Sequence, residues 1–368
     1  MLNFFHSQKS SFGLDLSDVS LKLFQFQEKK GQKIVQAFGE SYLGKEVLSG
    51  DQIKDPAALV RIIKKTVEFP KFGKVLGRYV IASIPETKSF VRLIQIPDMS
   101  EEEAAEAVPW EAEAYIPMPI NQVYLDWAKV EDKKAGAGGK MTVLISASPR
   151  DCVDGLVKIL NDANLRPLAL EVESQATARS LISSAKSQES VLIVDIDAVR
   201  TSLIINDKGA LEFTSSLPIA GNAFTESVAR AFDLNFEEAE KLQQEVGITE
   251  TPEGEEVKKA LLPVLNNLLD EIKNTIRFYE EHSSQDAKIS RLLLIGSSSK
   301  LGHLPSFLQE ELAHAEEKTH SLRSLSGIKV ELGDPWVNVL KKGQTPPLSQ
   351  EDSLSYATAI GLALREFE

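Results

Sequence analysis

The chain has 368 residues, 42% hydrophobic and 26% charged, an ordinary globular composition. That length exceeds one typical core and predicts two or more subdomains. A net charge of −13 leaves no basic excess to displace counterions, which argues against a general nucleic-acid binder. Cys152 is the only cysteine, so no internal disulfide forms, as expected in a reducing cytosol. The opening MLNFFHSQKSSFGLDL lacks a basic start followed by a long apolar run, so no signal peptide is expected. No run of about 18 apolar residues occurs either, so no transmembrane helix is expected.

In chain order, FGLDLSDVSLKLFQFQ (12–27) reads as strand, turn, strand, and Lys33–Phe38 continues it as an antiparallel meander. Leu59, Ile62, Ile63 and Val67 mark a helix over Pro56–Val67. Tyr79–Ile84 and Phe90–Ile96 are strands. MSEEEAAEAVPWEAEAYIPMP (99–119) opens with a capping box, Ser100 and Glu103, and an acidic first turn; Pro109 is expected to kink this helix and Pro117 to end it. Val123–Val130 and Met141–Ser146 are strands joined by the glycine-bearing hairpin loop EDKKAGAGGK, and Pro149–Ala163 is a helix. The block 86–166 therefore reads β-α-β-β-α, a compact insertion.

Strand Pro167–Val172 and helix Ser174–Ser184 lead into VLIVDIDAVRTSLII (191–205), two apolar runs around a tight polar turn. Ala223–Phe232 and Phe236–Val246 are helices, the second capped by Asn235, and ETPEGEE (250–256) reads as a loop. A long helix, 257–282, carries Val257, Leu261, Leu265, Leu268, Ile272, Ile276 and Tyr279 in one seam, which suits a core helix or a coiled-coil partner. Arg291–Ile295 is a buried strand, GSSSKLG a turn, Leu304–Ala313 a helix, KKGQTPPLSQED (341–352) a surface loop and Ser355–Glu366 a final helix.

The common nucleotide and hydrolase signatures, G-x-x-x-x-G-K-[ST], G-x-G-x-x-G and G-x-S-x-G, are absent. The histidines are scattered without metal-ligand spacing. One internal echo stands out. With Asp15 placed on Asp195, GLDLSDVSLKLF matches VDIDAVRTSLII in pattern. The copies lie too far apart for a solenoid, so a duplicated lobe or two unrelated hairpins would explain them. RLLLIGSSSKLGHLPSFLQEEL (291–312) adds a strand, a small-residue turn and a helix.

Two aspartate hairpins plus this late turn resemble the actin-like ATPase superfold. In that fold the hairpins grip the phosphates and the late turn packs against the adenosine. WEAEAYIPMPINQVYLDW (110–127) is more specific: it resembles the type IV pilus assembly PilM family, related to the cell-division protein FtsA. GLDLSDVSLKL, VRLIQIPDMSEEE, LIVDID, PIAGNAFTESVARAF, FEEAEKL and SYATAIGLALRE match the same family in order, covering about residues 12–366. The resemblance implies an α/β, actin-like (ribonuclease H-like) duplicated two-lobe fold. Residues 1–85, 167–189 and 345–368 form the first lobe, and 86–166 the insertion. The second lobe has its core in 190–232 and 288–344 and a helical subdomain in 233–287.

The resemblance also implies an adaptor at the cytoplasmic face of the bacterial inner membrane. Its partner would be the N-terminal tail of a PilN-like membrane protein, alongside other pilus platform proteins and the motor. FtsA usually ends in a basic amphipathic helix. Here ATAIGLALREFE offers Arg365 against two glutamates, little reason to bind an anionic membrane. A small-molecule kinase of this fold needs a catalytic base and sugar-binding loops that the sequence does not offer.

ATP and magnesium are implied as cofactors. Asp15, Ser17, Lys22, Asp195, Thr201, Gly221, Glu240, Gly296 and Ser297 fall at nucleotide positions, with Asp15 and Asp195 reaching magnesium through water. Lys22 reads either as a phosphate contact or as a solvated strand lysine, and Asp18 adds an acid to the first turn. Glu173 fits a water-positioning acid or a helix N-terminal acid favoured by the dipole. Several positions depart from the family pattern. Asp197 and Val199 stand where active relatives have glycine, Ser298 follows Gly296 where further glycines are usual, and Gln243 replaces the lysine of A-E-x-x-K. Lys241 points elsewhere by helical phase. Serine is expected to tolerate a left-handed turn poorly. A carboxylate about 4 Å from a phosphate charge costs on the order of 4 kcal/mol at an effective dielectric of about 20, roughly a thousandfold in affinity. Magnesium offsets that cost if Asp197 turns toward the metal. Two readings stay open: an adaptor whose nucleotide is structural or lost, and an ATPase whose turnover drives assembly.

Overall fold

The computed structural model describes residues 10–17, 19–130, 139–183, 188–283, 288–314, 325, 327–340 and 344–367, and the statements below concern these. The chain divides into two compact units. Unit 1 comprises Met1–Ser180, Trp336–Pro347 and Tyr356–Glu368; unit 2 comprises Leu181–Pro335 and Leu348–Ser355.

In unit 1 the meander is formed by β1 (Ser11–Leu16), β2 (Ser20–Lys29) and β3 (Gln32–Tyr42). Lys30 and Gly31 both take positive φ, 52° and 69°, at the β2–β3 turn. A two-residue hairpin turn needs that geometry because it matches the strands' twist. β4 (Leu48–Ser49) and β5 (Gln52–Ile53) make a minimal hairpin before α1 (Pro56–Glu68). Asp55 caps α1 by accepting from the Ala58 amide, and Pro56 occupies its first turn, where a missing N–H costs nothing. β6 (Phe72–Gly73) and β7 (Tyr79–Ile84) follow, and β11 (below) completes the sheet in the order β11-β7-β1-β2-β3-β6. β7 runs parallel to both β1 and β11.

The insertion has the expected order: β8 (Phe90–Pro97), α2 (Glu101–Glu113), β9 (Val123–Val130), β10 (Lys140–Pro149) and α3 (Arg150–Asp162). Its sheet runs β8-β10-β9, all antiparallel, and buries Ile94, Ile96, Val143 and Ile145 under Ala104, Val108 and Ala112 of α2. The Ser100–Glu103 capping box is formed, and α2 runs through Pro109 to Glu113. The loop 131–138 lies outside the described residues. α3 turns Leu156, Ile159 and Leu160 into the main core of unit 1, against Phe12, Leu14 and Val80. β11 (Arg166–Val172) and α4 (Glu173–Leu181) follow directly.

Unit 2 repeats the plan. Its strands are β12 (Ser190–Ile196), β13 (Thr201–Asp207), β14 (Ala210–Leu217), β15 (Ile289–Ile295) and β16 (Lys329–Leu332), in the order β14-β13-β12-β15-β16. An antiparallel meander and two parallel strands stand in the same sequence as β3-β2-β1-β7-β11. Even the hairpin chemistry recurs, with Lys208 and Gly209 at positive φ between β13 and β14. The match of Asp15 to Asp195 therefore reflects a duplicated lobe.

Between these strands lie α5 (Gly221–Phe232), α6 (Phe236–Val246) and α7 (Pro252–His282). The α7 seam is core: Val257, Leu261, Leu265, Leu268, Ile272 and Ile276 are fully buried among Leu192, Val194 and Leu294. The expected loop over 250–256 is corrected in part. Thr251 caps α7 by accepting from Gly254, and Pro252 opens it, so the first turn is helical. Proline suits that position because its fixed φ is helical and its missing amide is one of the orphans. After α8 (Leu304–His314), the loop expected over 341–352 gives way to a short helix, α9 (Gln350–Leu354), capped by Ser349. The final helix, α10 (Ala357–Leu364), starts two residues later than expected; it returns to unit 1, where every one of its residues is buried.

Candidate functional site

The residues singled out above fall in both units, and each group has its own geometry. In unit 1, β1 and β2 pair so that Asp15 faces Lys22, and β2 and β3 so that Lys22 faces Glu40. An ammonium group thus stands in a cross-strand row between two carboxylates. Asp15 is 5% exposed and Lys22 3%, so Lys22 is not a solvated strand lysine. Glu40 and Ser83, whose hydroxyl accepts from the Leu16 amide at 2.9 Å, were not singled out from sequence; only strand register brings them here. Ser17 keeps its donors within its own turn: its amide donates to the Ser20 carbonyl at 3.0 Å and its hydroxyl lies 2.9 Å from that of Ser20. Asp18 lies outside the described residues. Glu173 is the first residue of α4, and its carboxylate accepts from the Glu86 amide at 3.3 Å.

In unit 2 three elements converge: the β12–β13 turn, the start of α5, and a 3₁₀ turn over Ser297–Lys300 after β15. Gly296 enters that turn at φ 89°, and a Cβ there would lie 2.5 Å from Asp195 Oδ1 and 2.5 Å from the Ile196 carbonyl. Gly296 is thus required by both conformation and space. The expected strain at the serines does not arise, because Gly296 alone takes the left-handed conformation and Ser297, Ser298 and Ser299 do not. Asp197 is at the centre. Its amide donates to the Arg200 carbonyl at 3.0 Å, and its carbonyl accepts from the Gly221 amide at 2.9 Å. Its Oδ1 accepts from the amide and hydroxyl of Ser297 at 3.3 and 3.4 Å. Ser298 Oγ donates to the Asp197 carbonyl at 3.4 Å and fills the space where a Cβ on Gly221 would stand.

Thr201 and Gln243 are tied into internal hydrogen bonds. Thr201 is fully buried and its hydroxyl donates to the Ile219 carbonyl at 2.6 Å. Gln243 is buried and accepts from the Thr225 hydroxyl at 3.2 Å, so the glutamine in the lysine position serves the α5–α6 packing. Glu240 is exposed on α6, and Lys241 pairs with Glu245 at 3.8 Å along the solvent face. Thr201→Val keeps the shape but orphans the Ile219 carbonyl, so it is expected to cost about 1–2 kcal/mol, read by urea denaturation. A cost under about 0.3 kcal/mol would show that the hydroxyl is free for a ligand.

A polyphosphate needs free donors, and in unit 2 the amide and hydroxyl of Ser297, the hydroxyls of Ser298 and Thr201 and the Gly221 amide already meet protein acceptors. The row Asp15–Lys22–Glu40 in unit 1 is a charged set, and the Tyr356 hydroxyl lies 3.5 Å from Glu40 Oε2. No group of three or more metal-ligating side chains occurs among the described residues. No described helix is long and apolar enough to cross a membrane.

The comparisons with known proteins follow the fold. A family model described as type IV pilus assembly protein PilM matches residues 13–367. The solved PilM-PilN type IV pilus biogenesis complex contains a chain 27% identical, with TM-score 0.77, covering 98% of this chain and 99% of that one. The ethanolamine utilization protein EutJ from Carboxydothermus hydrogenoformans is 14% identical with TM-score 0.56, covering 96% and 88%. MreB 5 of Spiroplasma citri bound to AMPPNP is 12% identical with TM-score 0.54, covering 98% and 96%. The last two share the actin-like fold. With the two-sheet repeat, the insertion and the match over nearly its whole length, this chain belongs to the type IV pilus assembly protein PilM family.

Proposed function

We propose that this protein is a cytoplasmic adaptor of the type IV pilus inner-membrane platform, and that it binds the N-terminal tail of a PilN-like membrane protein. The observation that carries this reading is the end-to-end similarity to the PilM chain of a PilM-PilN complex. Charge supports it. Cytoplasmic segments beside a membrane helix are enriched in lysine and arginine, and a chain of net charge −13 suits such a tail. With no described helix able to span the bilayer, membrane association runs through the partner. Adaptor work needs no nucleotide turnover, which agrees with the engaged donors of unit 2.

The test is fluorescence anisotropy with a labelled peptide from the cytoplasmic start of the PilN-like protein of the same genome. Saturable binding in roughly the micromolar range is expected, about 8 kcal/mol, weakening as salt rises. Absence of binding to every such tail would remove the adaptor reading. Phosphate release from ATP that disappears in Asp15→Ala would instead favour an ATPase driving assembly.

A further inference from the structure

We propose that Asp197 is a built-in anion that ties the β12–β13 turn of unit 2 to the Ser297–Lys300 turn and thereby excludes polyphosphates from these turns. The inference rests on the family reading only for assigning these turns to nucleotide; the contacts themselves stand on geometry.

Three observations converge on Asp197. First, its carboxylate takes both donors of Ser297, the amide at 3.3 Å and the hydroxyl at 3.4 Å, which an incoming anion would otherwise meet. Ser297 is exposed, so this contact lies where a ligand from solvent would arrive. Second, the backbone of Asp197 holds the start of α5, through the Gly221 amide at 2.9 Å, and the hydroxyl of Ser298 at 3.4 Å. The three elements are therefore closed on one another through one residue. Third, Asp197 is not the only acid beside this turn. Lys300 directs its ammonium group to Asp352 at 3.1 Å, and Asp195 sets a second carboxylate against Gly296. A glycine at 197 would keep the backbone bonds and leave the Ser297 donors open. An anion entering beside Asp197 must break the tether and sit near a full negative charge.

The test uses the full-length protein, as wild type and as Asp197→Asn and Asp197→Gly. Calorimetry with ATP, with and without magnesium, and with inorganic tripolyphosphate reads affinity; thermal unfolding reads folding. Wild type is expected to bind none of these below about millimolar. Asp197→Asn keeps an acceptor for Ser297 but removes the charge, and is expected to gain at least about a hundredfold in ATP affinity, out of the roughly thousandfold that a carboxylate about 4 Å away imposes. Addition of ATP should raise the Tm of the variant and not that of wild type. Asp197→Gly also frees the Ser297 donors and is expected to bind tightest. Its Tm is expected to fall by about 2–4 °C as the tether goes.

Micromolar binding of magnesium-ATP to wild type would overturn the proposal. So would an Asp197→Asn protein that folds with wild-type Tm and gains no affinity. If Asp197→Gly fails to fold, Asp197→Asn alone decides. The peptide measurement above is made on wild type, so loss of the adaptor reading and loss of this one are told apart.

Discussion

Gly361→Ala is expected to destabilise unit 1 by about 3 kcal/mol or more, lowering Tm by roughly 6–12 °C. Gly361 sits mid-helix in α10, and a Cβ there would fall on the Ala176 carbonyl of α4. The backbones of the two helices touch, and a buried hydroxyl bond between Thr177 and Thr358, 2.9 Å long, closes the same seam. Neither helix can retreat. α10 already covers Gly13 of β1, where an added Cβ would lie 2.7 Å from the Ala363 nitrogen and 2.8 Å from the Leu362 Cβ. Interiors this dense do not absorb a methyl group without moving backbone. Gly155→Ala is the control. Gly155 lies exposed within α3 with nothing within 4 Å of an added Cβ, so the change is expected to stabilise by about 0.5–1 kcal/mol. Urea denaturation followed by far-ultraviolet circular dichroism measures both. A Gly361→Ala protein within about 1 kcal/mol of wild type would mean that α4 and α10 do not pack at this distance.

Arg179→Ala is expected to cost about 3–5 kcal/mol, because it leaves a buried carboxylate without its partner. The Arg179 guanidinium holds Glu171 bidentately, at 2.8 and 2.6 Å, and the Glu171 side chain is only 3% exposed. Arg179 also donates to the Gly361 carbonyl at 3.2 Å, so the pair joins β11 and α4 to α10. Arg365, 3.7 Å from Glu171 and part-exposed, replaces only part of the loss. Replacing both partners together, Glu171→Leu with Arg179→Met, is expected to recover most of it, since an apolar pair avoids the desolvation that makes the lone carboxylate costly. A double variant no more stable than Arg179→Ala would show that the arginine acts through its bond to Gly361 alone. Nearby, the Glu366 carboxylate accepts from the amide and hydroxyl of Ser11 at 2.9 and 2.8 Å, and Phe367 rests edge-on against Phe26. The C-terminal residues are thereby fastened to the first strand.

Much of the fold is legible in local pattern. Alternation in 12–27 and 191–205 marks the two hairpins, and the α7 seam is readable because its period is that of the buried face it makes. The capping boxes at Ser100 and Asn235 are complete, each with its glutamate three residues on. The misplaced pieces are short or terminal: the first turn of α7, where Gly254 and a proline read as loop, and α9, whose five residues show too little periodicity. The Lys-Gly turns at 30–31 and 208–209, both at positive φ, are a second mark of duplication in the sequence.

The candidate site divides along the same line. Residue identity alone determined the net charge, the absence of common phosphate loops, the paired Asp15 and Asp195, and the unusual acid at 197. Those are properties of single positions and short spacings. Only the tertiary structure decided that Lys22 is buried between Asp15 and Glu40, since that depends on the register of three strands. It also decided that Gln243 and Thr201 serve internal bonds, and that Asp197 meets Ser297 at all. Those two residues lie 100 positions apart. Parallel pairing of β12 with β15 brings the ends of both strands to one edge of the sheet, and no local pattern along the chain encodes that meeting.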